Sequence, residues 1–576
     1  MAYVVTQPCC ADASCVVACP VNCIHPAPGD PDFGTTEMVY IDARSCVGCG
    51  ACVTACPVEA IKPDTALTET ELPFVELNAA YYEVFPHADR TPLAVIPPQR
   101  RLRDDRPVRV AVVGAGPAGL YVADELLKHP EVSVDVLDRL PAPHGLVRAG
   151  VAPDHQHTKR AVDLFAAIEG ERGFGYLLGV EVGADVTLAE LEQRYDAVVY
   201  AVGAAADRPL GVPGEELVGS LSATDFVGWY NGHPDKQDLA VDLSHERAVV
   251  VGNGNVALDV ARVLTADPDD LALTDIARVP WSQLAASRVR EVVVLGRRGP
   301  AQAAFTLPEL IGLAGLARQG RLNVVVEVGG ADLGDPTGAD PVAAQRARLL
   351  TELSARPVDP GLRTIVLRFC AAPVRLVPDG AGLGLVGIEI ARTRLEHTPD
   401  GVRAVPTEET EVIATGLVLR AVGYHGLPVA DLPYDEARGV VPNDSGRVRP
   451  GVYVAGWVKR GPSGFIGSNK ACAQETVETL LDDLDAGAVT PPSVRGDLGA
   501  DLRARGVRVV DLAGWRALDA EERRRGAVAG RPRTKIVDRE EMLRVVADTA
   551  GSRGSGTGYA ASAGAQRKRR GPTIRS

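Results

Sequence analysis

The sequence predicts an α/β protein in which two Rossmann-like dinucleotide-binding domains follow a small, cysteine-rich α+β domain. Two glycine fingerprints, Gly114-x-Gly116-x-x-Gly119 and Gly252-x-Gly254-x-x-Ala257, each separate an apolar strand pattern from a helical one. All but two of the eleven cysteines precede both fingerprints, in an ordered spacing. Beyond the cysteines, strand and helix patterns alternate, as is typical of parallel sheets.

The cysteine-rich segment, residues 1–66, predicts the two iron–sulfur clusters of a bacterial-type ferredoxin. Its second half is a complete ligand run, Cys46-x2-Cys49-x2-Cys52-x3-Cys56-Pro57, and its first half repeats the frame with Asp12 in the second cysteine's place. In such pairs the fourth cysteine of each run binds the other cluster. The predicted ligands of a [4Fe–4S] cluster are therefore Cys46, Cys49, Cys52 and Cys19. Those of the second cluster are Cys9, Asp12, Cys15 and Cys56.

The second cluster is short of one thiolate. We expect a [3Fe–4S] cluster, or a [4Fe–4S] cluster with one weakly held iron, with Asp12 supplying oxygen. Cys10 could exchange with Cys9 by a small loop rearrangement, whereas Cys23 is expected to pack as a small hydrophobe. Two interlocked ligand runs, each ending in Cys-Pro, disfavour the alternatives of a zinc site or a disulfide framework.

Composition restricts the class of protein. The 576 residues are 46% hydrophobic and 24% charged, as in a soluble globular protein of several domains. No run of about 18 apolar residues or signal peptide is recognisable, and thiolate ligands need a reducing compartment, so a cytoplasmic location is expected. The net charge of −14 argues against nucleic acid as a partner of the body of the protein.

Composition also suggests the domain boundaries. Residues 67–106 are rich in proline and charge and predict a linker with one short helix near Leu77 to Glu83. Residues 107–550 carry both fingerprints, the first domain covering about 107–212 and 440–550 and the second about 213–439. Residues 551–576 form a Gly, Ser and Ala-rich basic tail that we expect to be disordered and solvated, although such a tail can also contact anions.

The first fingerprint predicts a dinucleotide site. Gly114 allows the tight turn, Gly116 lets a pyrophosphate approach the backbone, and Gly119 lets helix and strand pack closely. Asp138 ends the next strand, where its carboxylate can accept hydrogen bonds from ribose hydroxyls.

The second fingerprint predicts a preference for NADPH. The strand that follows it, Val292 to Leu295, ends at Arg297 and Arg298 instead of an acid, and paired guanidiniums bind a 2′-phosphate. Two such sites in one chain indicate a flavoprotein with FAD in the first and NADP in the second. The absence of a CxxC pair after Cys56 argues against a disulfide reductase and leaves the clusters as electron acceptor.

The reductase segment resembles a known family. The stretches GAGPAGLYVADELLKHP, HGLVRAGVAPDH, FVGWYNG, GNGNVALDVARVL, GRRGPAQAAFTLPEL and AGWVKRGPSGFIGSNK resemble adrenodoxin reductase and its bacterial ferredoxin–NADP reductase relatives. The whole chain resembles the fused ferredoxin/ferredoxin–NADP reductases of actinobacteria. The Gly456-Trp457 pair, where many two-dinucleotide flavoproteins have Gly-Asp, is similar to the adrenodoxin reductase branch.

This resemblance implies the residues of each site. Contacts to FAD are implied for Pro117, Ala118, Asp138, Leu146 and Val182, with Trp457, Gly464, Phe465 and Ile466 beside the isoalloxazine ring. Contacts to NADP are implied for Gly252, Asn253, Gly254, Asn255, Val256, Arg297, Arg298, Glu309 and Gly464. His155 and Asp259 match a polar pair near the active site, the alternative being a purely structural hydrogen-bonded pair.

The expected function is ferredoxin–NADP⁺ reductase activity. Hydride from NADPH would reduce FAD, and single electrons would pass to the chain's own clusters, to an external ferredoxin, or to another redox partner such as a cytochrome. Tethering would make a weak encounter between the acidic ferredoxin and the reductase efficient. Two alternatives are a glutamate-synthase-like small electron-transfer subunit and a non-catalytic redox sensor or scaffold. The oligomeric state is not predicted.

Overall fold

A computed structural model describes residues 2–30, 32–34, 36–93, 99–338, 340–399 and 401–554. Within these ranges, no helix combines the length and the apolar character needed to cross a bilayer. The predicted disordered tail, 551–576, lies outside the described residues from 555 onward, and the last helix of the structure continues through Gly554.

The cysteine-rich domain is built from two similar halves. Its elements are β1 (Tyr3–Val5), α1 (Ser14–Ala18), β2 (Ile24–His25), β3 (Tyr40–Ile41), α2 (Ala51–Ala55) and β4 (Ile61–Pro63). Strands β1 and β4 pair antiparallel, as do β2 and β3. Each helix follows a residue in the left-handed region, Ala13 (φ 59°) or Gly50 (φ 77°), and ends at a predicted ligand, Cys19 or Cys56.

The segment predicted as a linker is partly ordered against this domain. Helix α3 (Pro73–Val84) is longer than the short helix expected near Leu77 to Glu83. The Asn78 side chain donates to the carbonyl of Val5 over 2.9 Å and accepts from the amides of Val5 (3.2 Å) and Ile41 (3.0 Å). One buried amide therefore bridges β1 and β3, and α3 is held to the sheet edges instead of spanning two domains freely.

The first dinucleotide domain begins after this segment. Its elements up to residue 207 are β5 (Val108–Val113), α4 (Pro117–Leu127), β6 (Val132–Asp138), α5 (Gly145–Ala149), α6 (Gln156–Lys159), α7 (Ala161–Ile168), β7 (Phe174–Leu178), α8 (Leu188–Glu192), β8 (Ala197–Tyr200) and β9 (Ala206–Asp207).

The second domain is inserted into the first. Its elements are β10 (Ser220–Ser222), α9 (Ala223–Tyr230), β11 (Arg247–Val251), α10 (Asn255–Thr265), α11 (Pro268–Ala272), α12 (Arg278–Ala285), β12 (Glu291–Gly296), α13 (Leu307–Arg318), β13 (Asn323–Glu327), α14 (Pro341–Ala355), β14 (Thr364–Phe369), β15 (Ala371–Pro378), β16 (Leu385–Thr398), β17 (Gly401–Ala414), β18 (Leu417–Arg420) and β19 (Tyr424–His425). The chain then returns to the first domain with β20 (Arg447–Arg449), β21 (Val452–Val454), α15 (Trp457–Arg460), α16 (Ser468–Asp485), α17 (Leu498–Ala504), α18 (Leu512–Val528) and α19 (Arg539–Gly554).

Each domain is organised around one sheet. The first has the order β20-β21-β8-β5-β6-β7, and all its pairings but β20 with β21 are parallel. The second has the parallel order β10-β18-β11-β12-β14-β13, with the antiparallel group β15-β16-β17 attached. The valine-rich strands β5 and β11 are central and buried, as expected for strands covered on both faces. The predicted fold class is confirmed, and each fingerprint turn follows the carboxyl end of a central strand.

Candidate functional site

The first fingerprint turn requires its glycines. Gly114 has φ 113°, and a Cβ there would lie 2.4 Å from the carbonyl oxygen of Ala201. A Cβ on Gly119 would lie 1.9 Å from the carbonyl oxygen of Gly114. Helix α4 therefore starts close against β5 with Pro117 at its first turn, and its free N–H groups face the turn. This arrangement fits the pyrophosphate of FAD.

Asp138 orders the same turn. Its carboxylate accepts hydrogen bonds from the amides of Ala115 (2.8 Å) and Leu140 (2.9 Å), while burial raises the pKa of the group. The side chain thus ties the end of β6 to the glycine turn. The contact to a ribose hydroxyl remains a prediction.

The residues expected beside the isoalloxazine ring lie at the start of α15 and α16. A Cβ on Gly456 would lie 2.5 Å from Cβ of Ala118, so this loop packs directly on α4. Trp457 donates from Nε1 to the carbonyl of Ser463 over 3.1 Å. Gly464, Phe465 and Ile466 follow in one loop. The Phe465 amide donates a hydrogen bond to the Ser468 hydroxyl at 2.9 Å. Leu146, on α5, is 39% exposed, and Val182 is half-buried and forms a β-bridge with Val186.

The second fingerprint turn is built similarly. Gly252 has φ 116°, and a Cβ there would lie 2.2 Å from the carbonyl oxygen of Ala421. Gly254 has open space where a Cβ would stand, which leaves room for a phosphate at the start of α10. Oδ1 of Asn255 accepts a hydrogen bond from the amide of Thr306 at 2.9 Å, so the first turn of α10 is tied to the start of α13. Asn253 packs against Gly296, and Val256 is half-buried.

Arg297 and Arg298 follow β12 as predicted. Arg297 is exposed and Arg298 is half-buried. Within the described part of the chain, neither guanidinium has a carboxylate partner. Both are therefore available to an anion.

A buried arginine that the sequence analysis missed organises the polar residues between the two domains. Arg262 is 4% exposed. Its guanidinium donates to Asp154 (2.9 Å), Glu309 (2.7 Å), Asp259 (2.5 Å) and Nε2 of His155 (2.7 Å). The three-residue spacing from Asp259 to Arg262 on one helix was the available signal in the sequence.

The predicted pair of His155 and Asp259 is therefore indirect. Nδ1 of His155 lies 3.9 Å from Oδ1 of Asp259, and Arg262 contacts both side chains. Because Nε2 of His155 accepts from Arg262, the ring proton of a neutral imidazole lies on Nδ1. Burial raises the pKa of Asp259 to about 6, with Glu309 adding to the shift and Arg262 and His155 opposing it.

The first predicted cluster set is assembled in the structure. Cys19, Cys46, Cys49 and Cys52 line one cavity, which Tyr3 and Ile41 also border. Sγ of Cys19 accepts the amide of Cys23 at 3.4 Å. Burial raises the pKa of the Cys52 thiol to about 11, so an ionised thiolate here needs a compensating positive charge. Iron supplies such a charge, and the four sulfurs fit a [4Fe–4S] cluster.

The second set lies on the other side of the domain. Cys9 accepts the amide of Ala11 at 3.4 Å, Cys56 accepts that of Ala60 at 3.3 Å, and burial raises the pKa of Cys9 to about 12. Asp12 is 5% exposed and accepts a hydrogen bond from the Ser14 hydroxyl. Three thiols and one buried carboxylate are a donor set that fits an iron–sulfur cluster, and their role as ligands stays a prediction.

The second set faces the first dinucleotide domain directly. The amide of Gly467 donates to the carbonyl of Cys10 over 2.7 Å, and Lys470 donates to the carbonyl of Asp12 at 3.4 Å. The first set lies outward, with Cys49 exposed and Val47 64% exposed. Sequence reasoning did not anticipate this orientation, because it depends on contacts between segments over 400 residues apart.

Comparisons with known proteins agree with this architecture. Residues 108–292 match the family model described as pyridine nucleotide-disulphide oxidoreductase, and residues 39–62 match the 4Fe-4S binding domain. The chain is 47% identical to a probable ferredoxin/ferredoxin–NADP reductase of Mycobacterium leprae, over 95% of this chain and 98% of that protein. It is 43% identical to human mitochondrial NADPH:adrenodoxin oxidoreductase, over 76% of this chain and 92% of that one.

A solved structure matches the reductase part. Mycobacterium tuberculosis FprA in complex with NADPH is 41% identical, with a TM-score of 0.71, and the match covers 77% of this chain and 100% of that one.

Proposed function

The chain belongs to the ferredoxin/ferredoxin–NADP reductase family, and from this premise we propose how its residues divide the work of electron transfer. The protein is an NADPH-dependent flavoprotein oxidoreductase that passes electrons from NADPH by way of FAD to iron–sulfur clusters. Residues 107–212 and 440–550 form the FAD domain in this proposal, 213–439 the NADP domain and 1–66 the ferredoxin domain.

The FAD domain orients the flavin. FAD held here would supply the chemistry of hydride acceptance and single-electron release, so the protein needs no nucleophile of its own. Gly116 and the first turn of α4 hold the pyrophosphate, and Gly119 keeps that helix against β5. Trp457 and the loop of Gly464 border the ring.

The NADP domain selects and positions the nucleotide. Gly254 and the first turn of α10 receive its pyrophosphate, and Arg297 with Arg298 binds the 2′-phosphate. Arg262 holds His155, Asp259 and Glu309 between the two domains, where they border the space between nucleotide and flavin.

One contact carries the proposal that the fused ferredoxin is the immediate acceptor: the hydrogen bond from Gly467 to the carbonyl of Cys10. It joins the loop assigned to the flavin ring to the loop that carries Cys9 and Asp12. The cluster at the outward set around Cys49 would then pass electrons to an external redox protein. A ferredoxin or a cytochrome is the class of partner expected there.

The thiolate ligands also bear on location. Cysteines that must stay reduced to hold iron require a reducing compartment, and we infer the cytoplasm.

Anaerobic reductive titration of the full chain with NADPH tests this function. Flavin absorbance and EPR of the clusters are recorded together. We expect flavin bleaching and cluster signals that rise with added NADPH. Flavin reduction that leaves every cluster oxidised would contradict the role of the ferredoxin as acceptor.

A further inference from the structure

The ferredoxin domain places a carboxylate at the start of α10, beside the second fingerprint turn. Glu37 lies just before β3, and its Oε1 accepts a hydrogen bond from Nδ2 of Asn255 over 3.2 Å. Asn255 is the first residue of α10, directly after the second fingerprint turn. The same Asn255 side chain binds the amide of Thr306. Glu37 therefore joins the ferredoxin domain to the helix terminus that faces the nucleotide.

Glu37 is poorly compensated in this position. Its other oxygen, Oε2, is buried and has no hydrogen-bond partner, and Glu37 makes no ion pair within the described residues. The charged groups that face it are Glu309 on α13 and Asp259 on α10, with the phenol of Tyr40 on β3. The single charge of Arg262 is already shared among Asp154, Glu309 and Asp259, which leaves no cation for Glu37. Burial, with repulsion from Glu309 and Asp259, raises the pKa of Glu37 to about 8, although the nearby side chains of Thr306 and Asn255 oppose the shift.

A nucleotide phosphate would compete with this carboxylate. The free N–H groups and the dipole of a helix N-terminus attract anions. Under the proposed function, the pyrophosphate of NADP binds at the turn of Gly254 that precedes Asn255. An ionised Glu37 would then lie beside a second anion in a partly buried site, where repulsion between charges is strong.

We propose that Glu37 is a residue of the nucleotide site, contributed by the ferredoxin domain, and that its ionised form opposes binding so that NADP⁺ binds with uptake of one proton at Glu37. The inference rests on the proposed function, since it places the nucleotide at the start of α10. Through this contact the position of the ferredoxin domain sets the affinity of the reductase for its nucleotide.

The direction of the pH effect follows from linkage. The nucleotide raises the pKa of Glu37 further, so the complex holds more protons than the free protein above the pKa of about 8. Affinity is therefore greatest below that pH and falls by as much as about tenfold per pH unit above it. Asp259, with a pKa of about 6, and the 2′-phosphate, also near 6, have largely finished titrating below this window.

Isothermal titration calorimetry of the oxidised full chain with NADP⁺ tests the proposal without turnover. Titrations between about pH 7 and about pH 9, in two buffers of different ionisation enthalpy, give both Kd and the protons taken up. The wild type should take up a proton above about pH 8 and lose affinity as the pH rises. Glu37→Gln should bind with a nearly constant Kd and no uptake. Glu59→Gln is the matched control, because Glu59 is also an acid of the ferredoxin domain but pairs with Arg160, away from α10.

Each outcome decides the inference. Proton uptake in the wild type and in Glu59→Gln, but not in Glu37→Gln, supports it. A wild type that binds NADP⁺ without uptake overturns it and leaves the proposed function standing, as does a Glu37→Gln protein with the wild-type pH dependence. A wild type that binds no NADP⁺ at any pH overturns the proposed nucleotide site and the inference with it.

Discussion

The backbone amide of Gly467 donates to the carbonyl of Cys10 over 2.7 Å, and this hydrogen bond links the loop proposed to border the flavin ring to the ferredoxin domain. The approach is so close that a Cβ on Gly467 would lie 1.9 Å from the carbonyl oxygen of Ala11. The Ser468 hydroxyl reaches the carbonyl of Gly34 at 3.0 Å in the same interface. The ferredoxin domain is thus docked by specific contacts, beyond the tethering expected from sequence.

Substituting Gly467 should separate flavin chemistry from delivery to the clusters. Gly467→Ala places a methyl group against the backbone of Ala11, so the two domains must move apart. We expect NADPH-dependent reduction of cytochrome c to fall several-fold, while reduction of ferricyanide, which accepts electrons from flavin directly, is retained. FAD content must stay at the wild-type level.

Gly380→Ala is the control for this substitution, because a Cβ at Gly380 meets open space and strains no backbone. Equal loss of both activities in Gly467→Ala would show that the flavin site itself was disturbed. Full cytochrome c activity would show that docking at this point is not needed.

The parts of the site that could be predicted from sequence depend on local chain geometry. Gly114 and Gly252 occupy positive φ in turns that only glycine fits well, so the fingerprints identify them without further information. The ligand runs are local as well, since each short helix begins and ends among its own cysteines.

The missed features depend on contacts between distant segments. Arg262 is one charged residue within a helical pattern until the fold brings Asp154 and Glu309 to it. The docking of helix α3 was missed because the partners of Asn78 lie in strands β1 and β3, 73 and 37 residues away along the chain. The contact of Glu37 with Asn255 spans more than 200 residues and carries no local pattern.

Removing both arginines after β12 should reduce the preference for NADPH. Arg297→Ala with Arg298→Ala deletes two guanidiniums that have no acidic partner in the described structure, so little else should change. Each lost charge-assisted contact to the 2′-phosphate should cost about 1.5–3 kcal/mol. Steady-state kcat/KM with NADPH and with NADH measures the preference.

Arg394→Ala is a suitable control, because Arg394 is an exposed arginine on β16 that pairs with Glu396. Its NADPH-to-NADH ratio should equal that of the wild type. An unchanged ratio in the double variant would refute the assignment of the 2′-phosphate site.

The cluster bound by Cys9, Asp12, Cys15 and Cys56 should be limited by its carboxylate. Asp12 is buried beside the thiols and is the one predicted ligand of this cluster without sulfur. Oxidised protein should give a [3Fe–4S] EPR signal, or a [4Fe–4S] cluster that readily loses one iron. Asp12→Cys should yield a stable eight-iron protein by anaerobic iron analysis.

Two equally robust [4Fe–4S] clusters in the wild type would instead indicate Cys10 as the missing ligand. Cys10 is 3% exposed and lies in the same loop. Cys10→Ser should then lower the iron content, whereas it should leave the content unchanged if Asp12 is the ligand.

Loss of Arg262 should be far more damaging than loss of a surface arginine. Arg262→Met keeps much of the volume but leaves the carboxylates of Asp259 and Glu309 without their cation. Breaking a buried charge network in this way costs about 3–5 kcal/mol. Denaturant unfolding followed by flavin fluorescence should show a clear fall in the midpoint.

The matched control is Arg318→Met, which removes a two-pronged ion pair with Glu352 near the surface. Exposed pairs contribute only about 0–1 kcal/mol, so its midpoint should stay close to that of the wild type.

The pH dependence of stability distinguishes Arg262→Met further. In this variant Asp259 loses the cation that opposes its raised pKa, so a larger share of Asp259 is protonated near neutral pH. The free energy of unfolding should therefore decline further as the pH rises and Asp259 ionises. Equal midpoints for the two variants, with no such pH dependence, would mean that Arg262 is not the centre of the network between the domains.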